Sequence, residues 1–168
     1  MQIKVRNIYS NQINIIRLFT DGSANPRMMA GAWAACVVRG NDEHMISGTA
    51  HGVTHHAMEI QAVIEGLRYI RSEQKDYSQI VVFTDSEYVE KLPARRKRIE
   101  ANHFMTSKGK AVKNHLLVKQ LYDLLDVLPV EIHQVDSHMK KGHSMVTDYN
   151  RKVDKLSREL VRRMAGKD

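Results

Sequence analysis

Four acids stand where carboxylates can do chemistry: Asp21, Glu59, Asp85 and Asp154. Asp21 closes the alternating run Ile15-Ile-Arg-Leu-Phe-Thr, and Asp85 closes Ile80-Val-Val-Phe-Thr, so each marks the carboxyl end of an expected strand. Glu59 falls early in one expected helix and Asp154 within the last. Each has an ordinary structural explanation. Asp21 can form a turn before Gly22, Asp85 can cap a helix with Ser86, Glu59 suits a helix start, and Asp154 can pair with Arg158 one turn on. As a set they say more. If the two strands lie parallel and adjacent, Asp21 and Asp85 meet at one sheet edge, the place where α/β sheets hold ligands. Carboxylates gathered there raise one another's pKa, and a hard divalent cation with oxygen ligands removes the repulsion.

The helix faces agree with this convergence. Glu59 shares a stripe with Ala62, Val63 and Gly66, residues small enough to let that turn approach a sheet. Asn150 lies one turn before Asp154, and its amide offers a donor and an acceptor without adding charge.

A second feature is a concentration of positive charge. The formal net charge is +7, and between Lys91 and Lys113 the bases Lys91, Arg95, Arg96, Lys97, Arg98, Lys108, Lys110 and Lys113 face the single acid Glu100. A solvated surface mixes both signs, so this segment points to a polyanion, above all nucleic acid.

These residues must be positioned by one domain. A chain of 168 residues, 42% hydrophobic and 27% charged, fits a single globular unit and is too apolar for disorder. The longest apolar run, Ala32 to Val38, is far too short to span a bilayer, and the polar start lacks a signal peptide's apolar stretch, so a cytoplasmic protein without membrane contact is expected. One cysteine, Cys36, excludes an intrachain disulfide and a thiolate zinc cage. The nine histidines offer no recognised zinc quartet, and phosphate-binding glycine motifs are absent.

The patterning predicts strands over 15–21, 31–38, 44–52, 80–85 and 130–135, with a turn at Asp21-Gly22-Ser23. Helices are expected over 56–72, from Glu87, around 116–125 and over 148–164, and the basic segment is read as an insertion. The first three strands make hairpins, while strand–helix–strand crossovers demand parallel neighbours. The expected fold is therefore α/β, a five-stranded mixed sheet with helices on both faces. Residues 1–14 read as an N-terminal extension of unknown role and 15–168 as the catalytic domain.

The segments Phe19-Thr-Asp-Gly-Ser23, Met58-Glu59-Ile60, Phe83-Thr-Asp-Ser-Glu-Tyr-Val89 and Asn150-Arg-Lys-Val-Asp154 resemble, in order, the signature segments of type 1 ribonuclease H. The resemblance runs from about Ile15 to Met164. It implies the ribonuclease H fold, with Asp21, Glu59, Asp85 and Asp154 as catalytic carboxylates holding two Mg²⁺ ions, Mn²⁺ being the alternative. It also implies an endoribonuclease, a monomer, that hydrolyses the RNA strand of RNA–DNA hybrids to 3′-hydroxyl and 5′-phosphate ends. Two metal ions would activate water, shield the phosphorus and stabilise the leaving oxygen. His138 matches the loop histidine that shuttles protons in many members, with His143 as the alternative. Thr54, His56 and Asn150 fall at hybrid-contacting positions, and the basic segment matches a substrate-binding protrusion, which assigns Arg95, Arg96, Lys97, Arg98, Lys108, Lys110 and Lys113 to nucleic acid. The chain departs from the family at His55-His56, where an Asn-rich turn is usual, at Glu87, and in the bulky stretch Asn25 to Gly31. The competing expectations are a non-catalytic module binding hybrid or double-stranded RNA, and a transposase- or resolvase-type nuclease of the same fold.

Overall fold

In the computed structural model, which describes residues 14–136 and 144–166, five strands form one mixed sheet. They are β1 (Ile15–Asn25), β2 (Ala30–Arg39), β3 (Asp42–His51), β4 (Gln79–Thr84) and β5 (Val130–Gln134), in the spatial order β3-β2-β1-β4-β5. The three leading strands are antiparallel, whereas β1 pairs parallel with β4 and β4 with β5. The helices are α1 (His55–Glu73), α2 (Glu87–Glu90), α3 (Leu92–Ala101), α4 (His115–Val127) and α5 (Met145–Met164).

Strand alternation divides the core between two faces. Ile16, Leu18, Ala35, Val37, Ile80 and Val82 point to one face and pack with α1, α3 and α4 through Ile60, Val63, Ile64, Leu67, Ile99, Val118 and Leu121. Phe19, Ala34, Cys36 and Val38 point to the other, where α5 supplies Val153. The continuous apolar run in β2 thus reflects a strand covered on both sides. Cys36 is fully buried, and burial pushes its thiol pKa up to about 11, which makes it an inert core residue.

Two expectations need correcting. Asp21-Gly22-Ser23 forms no turn: β1 continues to Asn25, paired with β2 as far as Asn25↔Ala30, and the chain reverses over Pro26–Met28 instead. The basic segment is also not a plain insertion, because residues 92–101 form α3. Pro93 suits its first turn, and the two buried side chains Leu92 and Ile99 anchor it while the Tyr122 hydroxyl donates to the Leu92 carbonyl at 2.7 Å. Residues 1–13 lie outside the described part; at its margin the Asn14 carbonyl accepts from the Ser78 amide at 2.8 Å.

Candidate active site

Strand register brings the first two carboxylates level. The parallel β1–β4 ladder runs from Ile15↔Gln79 to Thr20↔Thr84, so Asp21 and Asp85 are the next residues on adjacent strands. Glu59 reaches them through a close backbone approach. A Cβ on Gly22 would lie 2.2 Å from the Glu59 amide nitrogen and 2.3 Å from the Met58 carbonyl carbon, so only glycine lets the first turn of α1 abut β1 there. Gly66 repeats the device deeper in the helix, where a Cβ would fall 2.5 Å from Leu18 Cδ1. From the opposite face α5 presents Asn150, Asp154 and Ser157 on one stripe, with Asn150 and Ser157 buried and Asp154 half-buried at its outer edge.

The protein holds three of the four acids, Asp21, Glu59 and Asp154, in place. Ser157, fully buried, donates to Asp21 Oδ2 at 2.5 Å. Glu59 receives three contacts: His55 Nε2 lies 2.9 Å from Oε1, His56 Nδ1 lies 3.0 Å from Oε2, and Ser86 Oγ donates to Oε2 at 2.5 Å. Asp154 Oδ1 accepts from Arg158 Nε at 2.7 Å, the pairing that its i, i+4 spacing suggests. Ser86 works twice, because its Oγ also accepts from the Val89 amide at 3.2 Å and so caps α2.

Electrostatics shows that the four acids share one environment. Asp21 is 5% exposed; burial, then the nearby negative charges of Asp85 and Asp154, push its carboxyl up to about 7 against the opposing Ser157 hydrogen bond. Asp85 is also raised, by burial and by the charges of Glu59 and Asp154. Glu59 moves the other way. Burial alone would raise it, but the hydrogen bonds from His55, Ser86 and His56 together bring it below its ordinary value. Held by Glu59, His55 is raised, partial burial opposing that shift and the charges of Asp21 and Asp85 adding to it.

Among the described residues, no three His, Cys, Asp or Glu side chains already surround a common point at coordinating distance. Asp21, Glu59 and Asp154 are turned onto their protein partners instead. The donor set nevertheless suits a hard divalent cation: it is carboxylate oxygen, it carries unrelieved like charge, and the buried Asn150 Oδ1 beside it has no hydrogen-bond partner.

The other expected site residues are distributed as follows. Thr54 caps α1, its hydroxyl accepting from the Ala57 amide at 3.2 Å. The His56 ring packs on Tyr88 with centroids 4.4 Å apart, and Asn150 is buried on the inner stripe of α5. Arg95, Lys97 and Arg98 are exposed on α3, and Lys108, Lys110 and Lys113 are exposed on the loop that follows it. Arg96 is engaged within the protein: its guanidinium forks onto Asp126 at 2.7 and 2.9 Å, its Nε donates to Glu100 at 2.8 Å, and it lies 5.0 Å over the Tyr122 ring. His138 and His143 both lie outside the described residues. Sequence reasoning passed over Ser86 and Ser157 as side chains that hold the acids; the spacing of Ser157 three residues after Asp154 and seven after Asn150 is the signal that marks it.

Comparison with known proteins places the chain in a class. The RNase H family model matches residues 14–162. A ribonuclease H of Thermoanaerobacter sp. is 30% identical over 158 residues, covering 92% of this chain and 94% of the relative. Among solved structures, LC9-RNase H1, a type 1 RNase H with the type 2 active-site motif, superposes with a TM-score of 0.72 at 20% identity, over 92% of this chain and 74% of that one. The foamy viral protease-reverse transcriptase in complex with RNA/DNA hybrid superposes with a TM-score of 0.63 at 16% identity, over 89% of this chain, which spans about a fifth (20%) of that larger polypeptide. The fold is that of the RNase H domains, and this chain belongs to the ribonuclease H family.

Proposed function

We propose that this chain is an endoribonuclease that hydrolyses the RNA strand of RNA–DNA hybrids with divalent metal ions, leaving 3′-hydroxyl and 5′-phosphate ends. The observation that carries the reading is the coupled carboxylate group on one sheet edge, with Asp21 held at a pKa of about 7 by burial and by its acidic neighbours. Family membership and the hybrid-bound foamy viral relative support the substrate class.

Two Mg²⁺ ions, or Mn²⁺ in their place, would supply an activated water and shield the charge at phosphorus. Asp21, Glu59, Asp85 and Asp154 are the residues that would hold them, with Asp21 central because it is the most buried. Ser157 and Ser86 keep Asp21 and Glu59 oriented, and the buried Asn150 offers an uncharged acceptor one turn from Asp154. Proton transfer to the departing oxygen is assigned to His138. Arg95, Lys97, Arg98, Lys108, Lys110 and Lys113 neutralise phosphates without reading sequence, and Thr54 and His56 flank the strand entering the site. RNA is distinguished from DNA through its 2′-hydroxyl. A monomer acting in the cytoplasm suits this role.

Labelled RNA–DNA hybrid, duplex DNA and duplex RNA incubated with Mg²⁺ test the reading. We expect cleavage confined to the RNA of the hybrid and lowered at least ~100-fold by Asp85→Asn. Equal cutting of duplex DNA, or full activity in Asp85→Asn, refutes it.

A further inference from the structure

We propose that His55 is a metal ligand: its Nε2 joins Glu59 Oε1 in binding the divalent ion, making a mixed nitrogen and oxygen site that favours Mn²⁺ over Mg²⁺. The inference rests on the metal-dependent reading above and adds a ligand to it. Spacing is the first ground. Nε2 and Oε1 are 2.9 Å apart, and two adjacent ligands of an octahedral ion with bonds of ~2.1 Å stand ~3.0 Å from each other. The pair already has the separation that a shared ion requires, and the ion takes the place of the proton between them, which is released to solvent as Nε2 turns its lone pair to the metal. Residues one turn apart on a helix are also a proven way to present two ligands to one metal.

Orientation is the second ground. Glu59 Oε2 is taken by Ser86 and His56, which leaves Oε1 as the oxygen offered outward, and His55 is the group beside it. The charge of the His55 ring also lowers the carboxyls of both Asp21 and Asp85, so the ring lies near the carboxylate group. Its side chain is 58% exposed, which gives the ring room to adjust as an ion enters. His56 differs in which oxygen it meets and how it is packed: it contacts Oε2 through Nδ1 and lies against Tyr88. His56 is a positioning residue and serves as the internal control.

Mn²⁺ prefers oxygen but accepts an imidazole nitrogen more readily than Mg²⁺, which takes oxygen ligands and gives up its waters reluctantly. Pulsed electron paramagnetic resonance of the Mn²⁺-loaded protein reads the ligand directly. We expect ¹⁴N coupling in the wild type and in His56→Asn, and its loss in His55→Asn and His55→Gln. Calorimetric Mn²⁺ affinity falls about tenfold in those two His55 variants, while Mg²⁺ affinity changes less than about threefold. His55→Gln preserves helix propensity and keeps the result readable if the asparagine variant folds poorly. Bound Mn²⁺ without ¹⁴N coupling in the wild type, or coupling that survives both His55 variants, overturns the inference and leaves the nuclease reading standing. A wild-type protein that neither binds Mn²⁺ nor cleaves hybrid overturns both.

Discussion

Replacing Asp21 by asparagine should stabilise the metal-free protein. The Asp21 carboxyl rises from 3.8 to about 7 on folding because it is buried and lies near Asp85 and Asp154. The folded protein therefore holds this proton more tightly than the unfolded chain. Its contribution to stability is intact below pH ~4, declines as the pH climbs toward ~7, and is a constant deficit above that. At ~1.4 kcal/mol per unit, a shift of this size amounts to a deficit on the order of 4 kcal/mol at pH 8. Asparagine keeps the shape and an acceptor for Ser157 without the charge, so Asp21→Asn recovers most of that energy in chelator. Urea and thermal unfolding from pH 4 to 8 measure it. The two proteins should match near pH 4 and diverge as pH rises, the variant gaining ~8–16 °C in Tm at pH 8. A variant no more stable than wild type at pH 8, or one whose curve stays parallel to wild type throughout, would refute the electrostatic argument. Added Mg²⁺ should stabilise wild type and leave the variant nearly unaffected.

Gly22→Ala places a methyl 2.2 Å from the backbone of α1, so urea unfolding should show a loss of at least ~1–3 kcal/mol, and hybrid cleavage should drop because Glu59 is pushed from Asp21. Stability within ~0.5 kcal/mol of wild type would contradict the close approach. Converting Arg95, Lys97 and Arg98 together to alanine should reduce the slope of log affinity against log salt for hybrid by ~2–3, since each free base releases about one counterion. Arg96→Ala, whose guanidinium is committed to Asp126 and Glu100, should leave that slope nearly unchanged. A larger effect from Arg96 alone than from the other three would reverse the assignment.

Periodicity was sufficient for the five strands, the faces of the long helices and the crossover that aligns Asp21 with Asp85, because alternation and helical spacing are local signals. It failed where one residue serves an unexpected geometry. Asp-Gly-Ser has turn chemistry, yet Gly22 is needed for contact with a helix 37 residues onward, a distance information that no local pattern carries. The helix α3 was hidden because only Leu92 and Ile99 mark a buried face among its charges. Arg96 looked like its basic neighbours; its partner Asp126 lies on α4, thirty residues away in sequence. Ser86 and Ser157 hold the acids with side chains too common to stand out.

The most direct test of the central claim is crystallographic. Crystals soaked in Mn²⁺ and measured at its absorption edge should show anomalous density in contact with Asp21 and Asp85, with Glu59 meeting it through Oε1 while Oε2 stays on Ser86, and Asp154 swung from Arg158. Density elsewhere alone, or none at those carboxylates at millimolar Mn²⁺, would contradict the account.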